Sequence, residues 1–167
     1  RDSDGGVLFG EDRTFSTLIS NINDGSNSKR WHAAYSLAVE LNNPESESFP
    51  NEKYEKDKFI NSYKKSINFE ESMNKDDSTK YYLRSYLIIA MGRTRDDYYG
   101  EILLDALDSD KPIIRLSAIQ SLGEIQYKPA AANISEIINF TSCCKEKSPG
   151  GIKMIQCCVD EIEVLAA

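Results

Sequence analysis

The chain has 167 residues, 40% hydrophobic and 28% charged, with a net charge of −7. That length supports one domain with its own core, and the acidic balance argues against general phosphate-backbone binding, leaving Lys64-Lys65 as the only seed of a basic stripe. No apolar run is long enough to span a membrane, and two adjacent cysteine pairs, Cys143-Cys144 and Cys157-Cys158, match neither a disulfide framework nor zinc-knuckle spacing.

Residues 1–10 are rich in Gly and Asp and are expected to form a flexible N-terminal segment, with the folded domain over 11–167. The opening RDSDGG carries no initiating Met and no signal-peptide apolar core, as expected of a processed product or an excised fragment. A first helix is expected from Glu11 or Asp12, with Phe15, Leu18, Ile19 and Ile22 on one face, and Asn23-Asp24-Gly25-Ser26 ends it. Ser28 is read as the N-cap of a second helix running to Leu41. Residues 42–56 are acidic, contain Pro44 and Pro50, and read as an extended polar insertion with a disordered tip and few core contacts. A third helix is expected over Asp57–Phe69, with Phe59, Ile60, Tyr63 and Ile67 facing inward, and a fourth over Thr79–Arg93.

The next unit starts near Asp97 with Tyr98, Ile102, Leu103, Ala106 and Leu107, and ends near Gln126. Its second half, Ser109 to Ile125, is the cleanest segment of the chain. Pro112 suits the first turn of a helix, and Ile114, Ala118, Leu122 and Ile125 recur on one face. A last unit opens at Pro129 with Ile134, Ile137, Ile138 and Phe140, and closes with a helix over Gly151–Leu165 whose face is Ile152, Ile155, Val159 and Ile162.

One register recurs: apolar-Arg-x-x-Ala-x-x-x-Leu-Gly around Arg115, echoed by Leu83-Arg84, Leu87 and Met91-Gly92, and by Arg30, Ala33, Leu37 and Ala38. Acidic residues precede each Arg: Asp24, Asp77, and Asp108 with Asp110. Arg84 and Arg115 are 31 residues apart, whereas Arg30 and Arg84 are 54 apart, so the surplus lies partly in 42–56. Helix pairs repeating in one register are the mark of an α-solenoid. The pattern resembles HEAT repeats, in particular the short HEAT-like repeats of bacterial proteins and phycobilin lyases, over about residues 11–140. The resemblance implies an all-α fold, a right-handed α-α superhelix of about four helix pairs, in which the second helices line the concave side.

The expected structural ladder is Arg30, Arg84 and Arg115, each bonding turn carbonyls or a neighbouring Asp among Asp24, Asp77 and Asp110. His32 is the only histidine, which weakens any catalytic triad or multi-histidine metal site. The paired His-Glu motifs of HEAT-like deoxyhypusine hydroxylase have no counterpart in Arg30-Trp31-His32-Ala33. No phosphate loop or nucleophile elbow occurs, so neither catalytic residues nor a metal or other cofactor is expected, and the cysteines read as packing residues in a reducing cytoplasm. Positions one and five after each Arg supply Trp31, Tyr35, Ile89 and Leu116, and Tyr82 and Tyr86 lie beside them. This stripe is the expected site for a protein or peptide partner. The reading is therefore a non-enzymatic scaffold; the alternative is a lyase-like or other enzyme subunit holding a small molecule in the same surface.

Overall fold

The computed structural model describes residues 13–135. The expected flexible segment 1–10, the Ile137-Ile138-Phe140 face, the four cysteines and the helix expected over Gly151–Leu165 lie outside the described residues.

All regular structure among the described residues is helical. Six α-helices follow in order: α1 (Phe15–Asp24), α2 (Asn27–Glu40), α3 (Lys53–Ser72), α4 (Tyr82–Arg93), α5 (Gly100–Ala106) and α6 (Pro112–Glu124). Short 3-10 turns at Asp97–Tyr99 and Lys128–Ala130 precede α5 and the last described helical residues. No helix among these residues is long and apolar enough to cross a membrane.

The apolar faces read for α1 and α6 are buried; elsewhere Ile60, Ile67 and Ile102 are only partly buried, and Tyr98, expected to face inward, is exposed while Tyr99 is buried. Phe15, Leu18, Ile19 and Ile22 of α1 and Ile114, Ala118 and Leu122 of α6 all lie in one core, with Ile125 just beyond. α1 begins at Phe15, later than expected, with Thr14 as its N-cap, the hydroxyl accepting from the Thr17 N–H. Ser26 rather than Ser28 caps α2 and accepts from the Lys29 N–H. Pro112 occupies the first turn of α6.

The largest departure is at 42–56. Its last residues are the first turn of α3, which begins at Lys53 because the Glu55 carboxylate accepts from the N–H groups of Asn51 and Glu52. Before it, Ser48 and Pro50 are buried and Phe49 packs on the core. The Ser48 hydroxyl donates to the Arg13 carbonyl, tying this segment to the start of α1. The segment is a folded connection, and the expectation that few core contacts originate there is corrected.

Each helix packs on its chain neighbour, α1 on α2, α3 on α4 and α5 on α6; the even helices also form a row, α2 on α4 and α4 on α6. The two junctions of this row share a register. Counted from Arg30, Arg84 and Arg115, the residue after one Arg meets the residue two after the next Arg: Trp31 meets Tyr86, and Ser85 meets Ser117. The second junction is unusually close. Ser85 Oγ lies 2.7 Å from Ser117 Oγ, and Ser121 Oγ donates to the Ile88 carbonyl at 2.9 Å. A Cβ on Gly92 would sit 2.6 Å from the Ser121 Cα, so only glycine permits this approach. α4 and α6 also finish alike. Arg95 and Gln126, each eleven residues after its Arg, both take a left-handed φ of 54°.

Candidate functional site

Among the described residues, six large hydrophobic side chains are exposed, and four of them lie on the even-helix row: Tyr35 and Val39 on α2, Ile113 and Leu116 on α6. Between them, α2 and α4 bring Trp31, Tyr35, Tyr82 and Tyr86 into one cluster. Tyr86 stands at its centre, 5.3 Å from Tyr35 edge-on, 6.2 Å from Tyr82, and 6.4 Å from Trp31 with the rings nearly parallel. Tyr82 meets Trp31 edge-on at 5.6 Å. These are the separations at which aromatic quadrupoles attract. Tyr35 is 49% exposed, whereas Trp31, Tyr82 and Tyr86 are half-buried, so the cluster is both part of the α2–α4 junction and part of the surface.

Helical spacing explains the assembly. Tyr82 and Tyr86 are four apart on α4, as Trp31 and Tyr35 are on α2, so each pair forms a ridge and the two ridges meet. His32 stacks on Trp31 and its Nδ1–H donates to the Ser28 carbonyl at 2.7 Å, which keeps the ring on the helix surface.

The other two residues of the expected stripe make no ring contact with this cluster. Ile89 is partly buried against the core. Leu116 is 59% exposed, and its register places it on the flank of α6 away from α4. Sequence reasoning missed Val39 and Ile113. Ile113 was findable, because it stands two residues before its Arg just as Tyr82 does.

The ladder arginines bond carbonyls, as expected for two of the three, but none pairs with Asp24, Asp77 or Asp110. Arg30 donates to the carbonyls of Gly25 at 2.7 Å and Ile22 at 3.2 Å, and its guanidinium lies over the Phe69 ring of α3. Arg115 donates to the Ser109 carbonyl at 2.5 Å; its Nη2 is buried without a partner, and burial lowers its pKa against the pull of Asp110. Arg84 turns to α3 instead, donating to the Tyr63 hydroxyl at 3.3 Å and pairing with Glu70 at 3.5 Å. Glu70 is buried, and desolvation raises its carboxyl pKa above the ordinary range in spite of Arg84. The aspartates are engaged elsewhere or exposed. Asp77 accepts from the N–H and hydroxyl of Thr79 and also from the Asn27 side-chain amide of α2, Asp110 pairs with Lys111, and Asp24 is exposed.

Two clefts lie off this face. One of about 490 Å³ is lined by residues including Phe49, Lys56 and Arg95; one of about 640 Å³ lies between α1 and α3. No group of three or more His, Cys, Asp or Glu able to hold a metal occurs among the described residues. Compared with protein-family models, curated proteins and solved structures, the chain has no match.

Proposed function

We propose that the chain is a non-enzymatic binding module, a short right-handed superhelix of HEAT-like helix pairs whose second-helix face holds an apolar segment of a protein or peptide partner. The stacked reading draws support from the two junctions made in one register and from the matching ends of α4 and α6. The binding reading rests chiefly on one observation: in an acidic chain, four of the six exposed large apolar side chains among the described residues lie on the even-helix row, and one of them, Tyr35, belongs to a cluster of four aromatic rings at the α2–α4 junction. Tyr and Trp supply broad contact area with few rotors to immobilise, which is why binding energy concentrates on them. A helix or extended peptide with apolar anchors at regular spacing suits a row of parallel helices.

The test begins with peptides selected from a random display library on the wild-type protein. Tyr35→Ala and Tyr86→Ala should each weaken the selected peptides by about 2 kcal/mol, some thirtyfold in Kd. Tyr35→Ala is the cleaner probe, since Tyr86 also packs at the α2–α4 junction and its loss lowers stability as well. Peptides that bind both variants normally, and instead lose binding when Ser16 and Lys58 in the α1–α3 cleft are changed, would move the site to the opposite face.

A further inference from the structure

We infer that the outer flank of α6 is a docking surface for the chain's own residues 151–165. The inference rests on the stacked-pair reading but not on the aromatic face.

Two filled junctions define what such a flank looks like from within. The residue after the repeat Arg always meets the next even helix: Trp31 lies against Tyr86 of α4, and Ser85 against Ser117 of α6. The residue eight after the Arg is small and closed over. Ala38 is buried and its carbonyl accepts from Arg93 of α4, and Gly92 is pressed on Ser121 of α6. On α6 these two positions are Leu116 and Gly123. Leu116 is 59% exposed, and a Cβ on Gly123 would meet nothing within 4 Å. α6 thus carries the junction residues, a large apolar anchor and a close-approach glycine, with no helix among the described residues against them. Ile119, on the same side, is only partly buried.

The chain supplies one suitable occupant. Thirty-two residues follow Ser135, and Ile152, Ile155, Val159 and Ile162 recur among them at helical spacing. Fifteen residues in a helix are about 22 Å long, against about 20 Å for the 13 residues of α6. The preceding stretch, 136–150, reaches up to about 50 Å when extended, enough to cross the end of α6 and return.

The experiment uses the full chain. Hydrogen–deuterium exchange in the wild type should show amides of 152–162 protected at least a hundredfold over free-chain rates, in a protein that sediments as a monomer. Leu116→Asp combined with Gly123→Glu should remove at least tenfold of that protection while α1–α4 keep theirs. Benzoylphenylalanine in place of Leu116, photolysed in dilute protein, should cross-link within 151–165 of the same chain, which covers the case where the double variant is poorly folded. Free-chain exchange across 152–162 in the wild type overturns the inference. So does protection that survives the double variant, or a wild-type dimer that the double variant splits, which would assign the flank to a second copy. None of these results bears on peptide binding at Tyr35, so the two readings fail separately.

Discussion

Gly92→Ala tests the α4–α6 junction most directly. Alanine is the better helix former by about 0.8–1.0 kcal/mol, so at an open helical site the change would stabilise. Here the new Cβ would stand 2.6 Å from the Cα, Cβ and Oγ of Ser121. The Cα belongs to the backbone of α6, so the clash is not relieved by turning a side chain; the helices must part by several tenths of an ångström. Overpacking of this kind costs about 1–3 kcal/mol. Parting the helices also stretches the buried bond from Ser121 to the Ile88 carbonyl, worth about another 1 kcal/mol. Set against the gain in propensity, the net loss is about 1–3 kcal/mol, or a fall in Tm of some 2–12 °C for a chain of this size. Urea denaturation followed by far-UV circular dichroism measures it. Ser121→Gly in the same background removes two of the three clashing atoms, so the double variant should be more stable than the sum of the single losses by about 1 kcal/mol. A Gly92→Ala protein as stable as wild type, or a cycle additive within about 0.5 kcal/mol, would refute the close-approach reasoning.

Three further outcomes are expected. Glu70→Gln should be more stable than wild type at pH 7, and the two should converge on acidification. The raised folded-state pKa of Glu70 means its burial favours folding only when it is protonated, a contribution lost as pH rises above the ordinary 4.5 and through the raised value; a gap that widens toward acid would contradict this. Arg95→Gly relieves a left-handed non-glycine residue and should stabilise by about 0.5–1 kcal/mol in thermal melts, net of glycine's extra chain entropy; a loss would show that the Arg95 side chain matters more than its backbone. Arg115→Ala should destabilise by about 1–3 kcal/mol, leaving the Ser109 carbonyl without its donor, and an unchanged urea midpoint would remove Arg115 from the ladder.

The helices with clean apolar periodicity are legible in the sequence alone. α1 and α6 bury the residues their spacing indicates. α3 begins four residues earlier than its pattern suggests, because its first turn, Lys53 to Lys56, is fixed by the Glu55 carboxylate accepting from backbone N–H groups and carries no apolar signal. The connection before it looks like open loop for the same reason: Ser48 is buried by a backbone carbonyl, an acceptor every residue has and no sequence displays. Arg30, Arg84 and Arg115 are visible as a register, but their partners are not: backbone carbonyls receive Arg30 and Arg115, and Tyr63 and Glu70 receive Arg84. The aromatic cluster follows from counting positions relative to each Arg. The left-handed ends of α4 and α6 give no warning, being Arg and Gln where glycine is usual.

Arg93 donates to the Ala38 carbonyl at 2.8 Å, closing a loop of 55 residues between the ends of α4 and α2. Arg30 reaching over Phe69 and Tyr98 bonding Asp57 are cross-ties of the same sort. They bear on how the molecule yields to force. A stack whose units touch only through apolar faces peels one unit at a time, giving a sawtooth of small ruptures when drawn from its ends. Ties that straddle units must shear together, because no unit is released until its neighbour's bond has gone. Pulled between α1 and α6, this protein should therefore break in a single event at higher load and, once slack returns, contract to its folded length only after both ends of each tie have found each other.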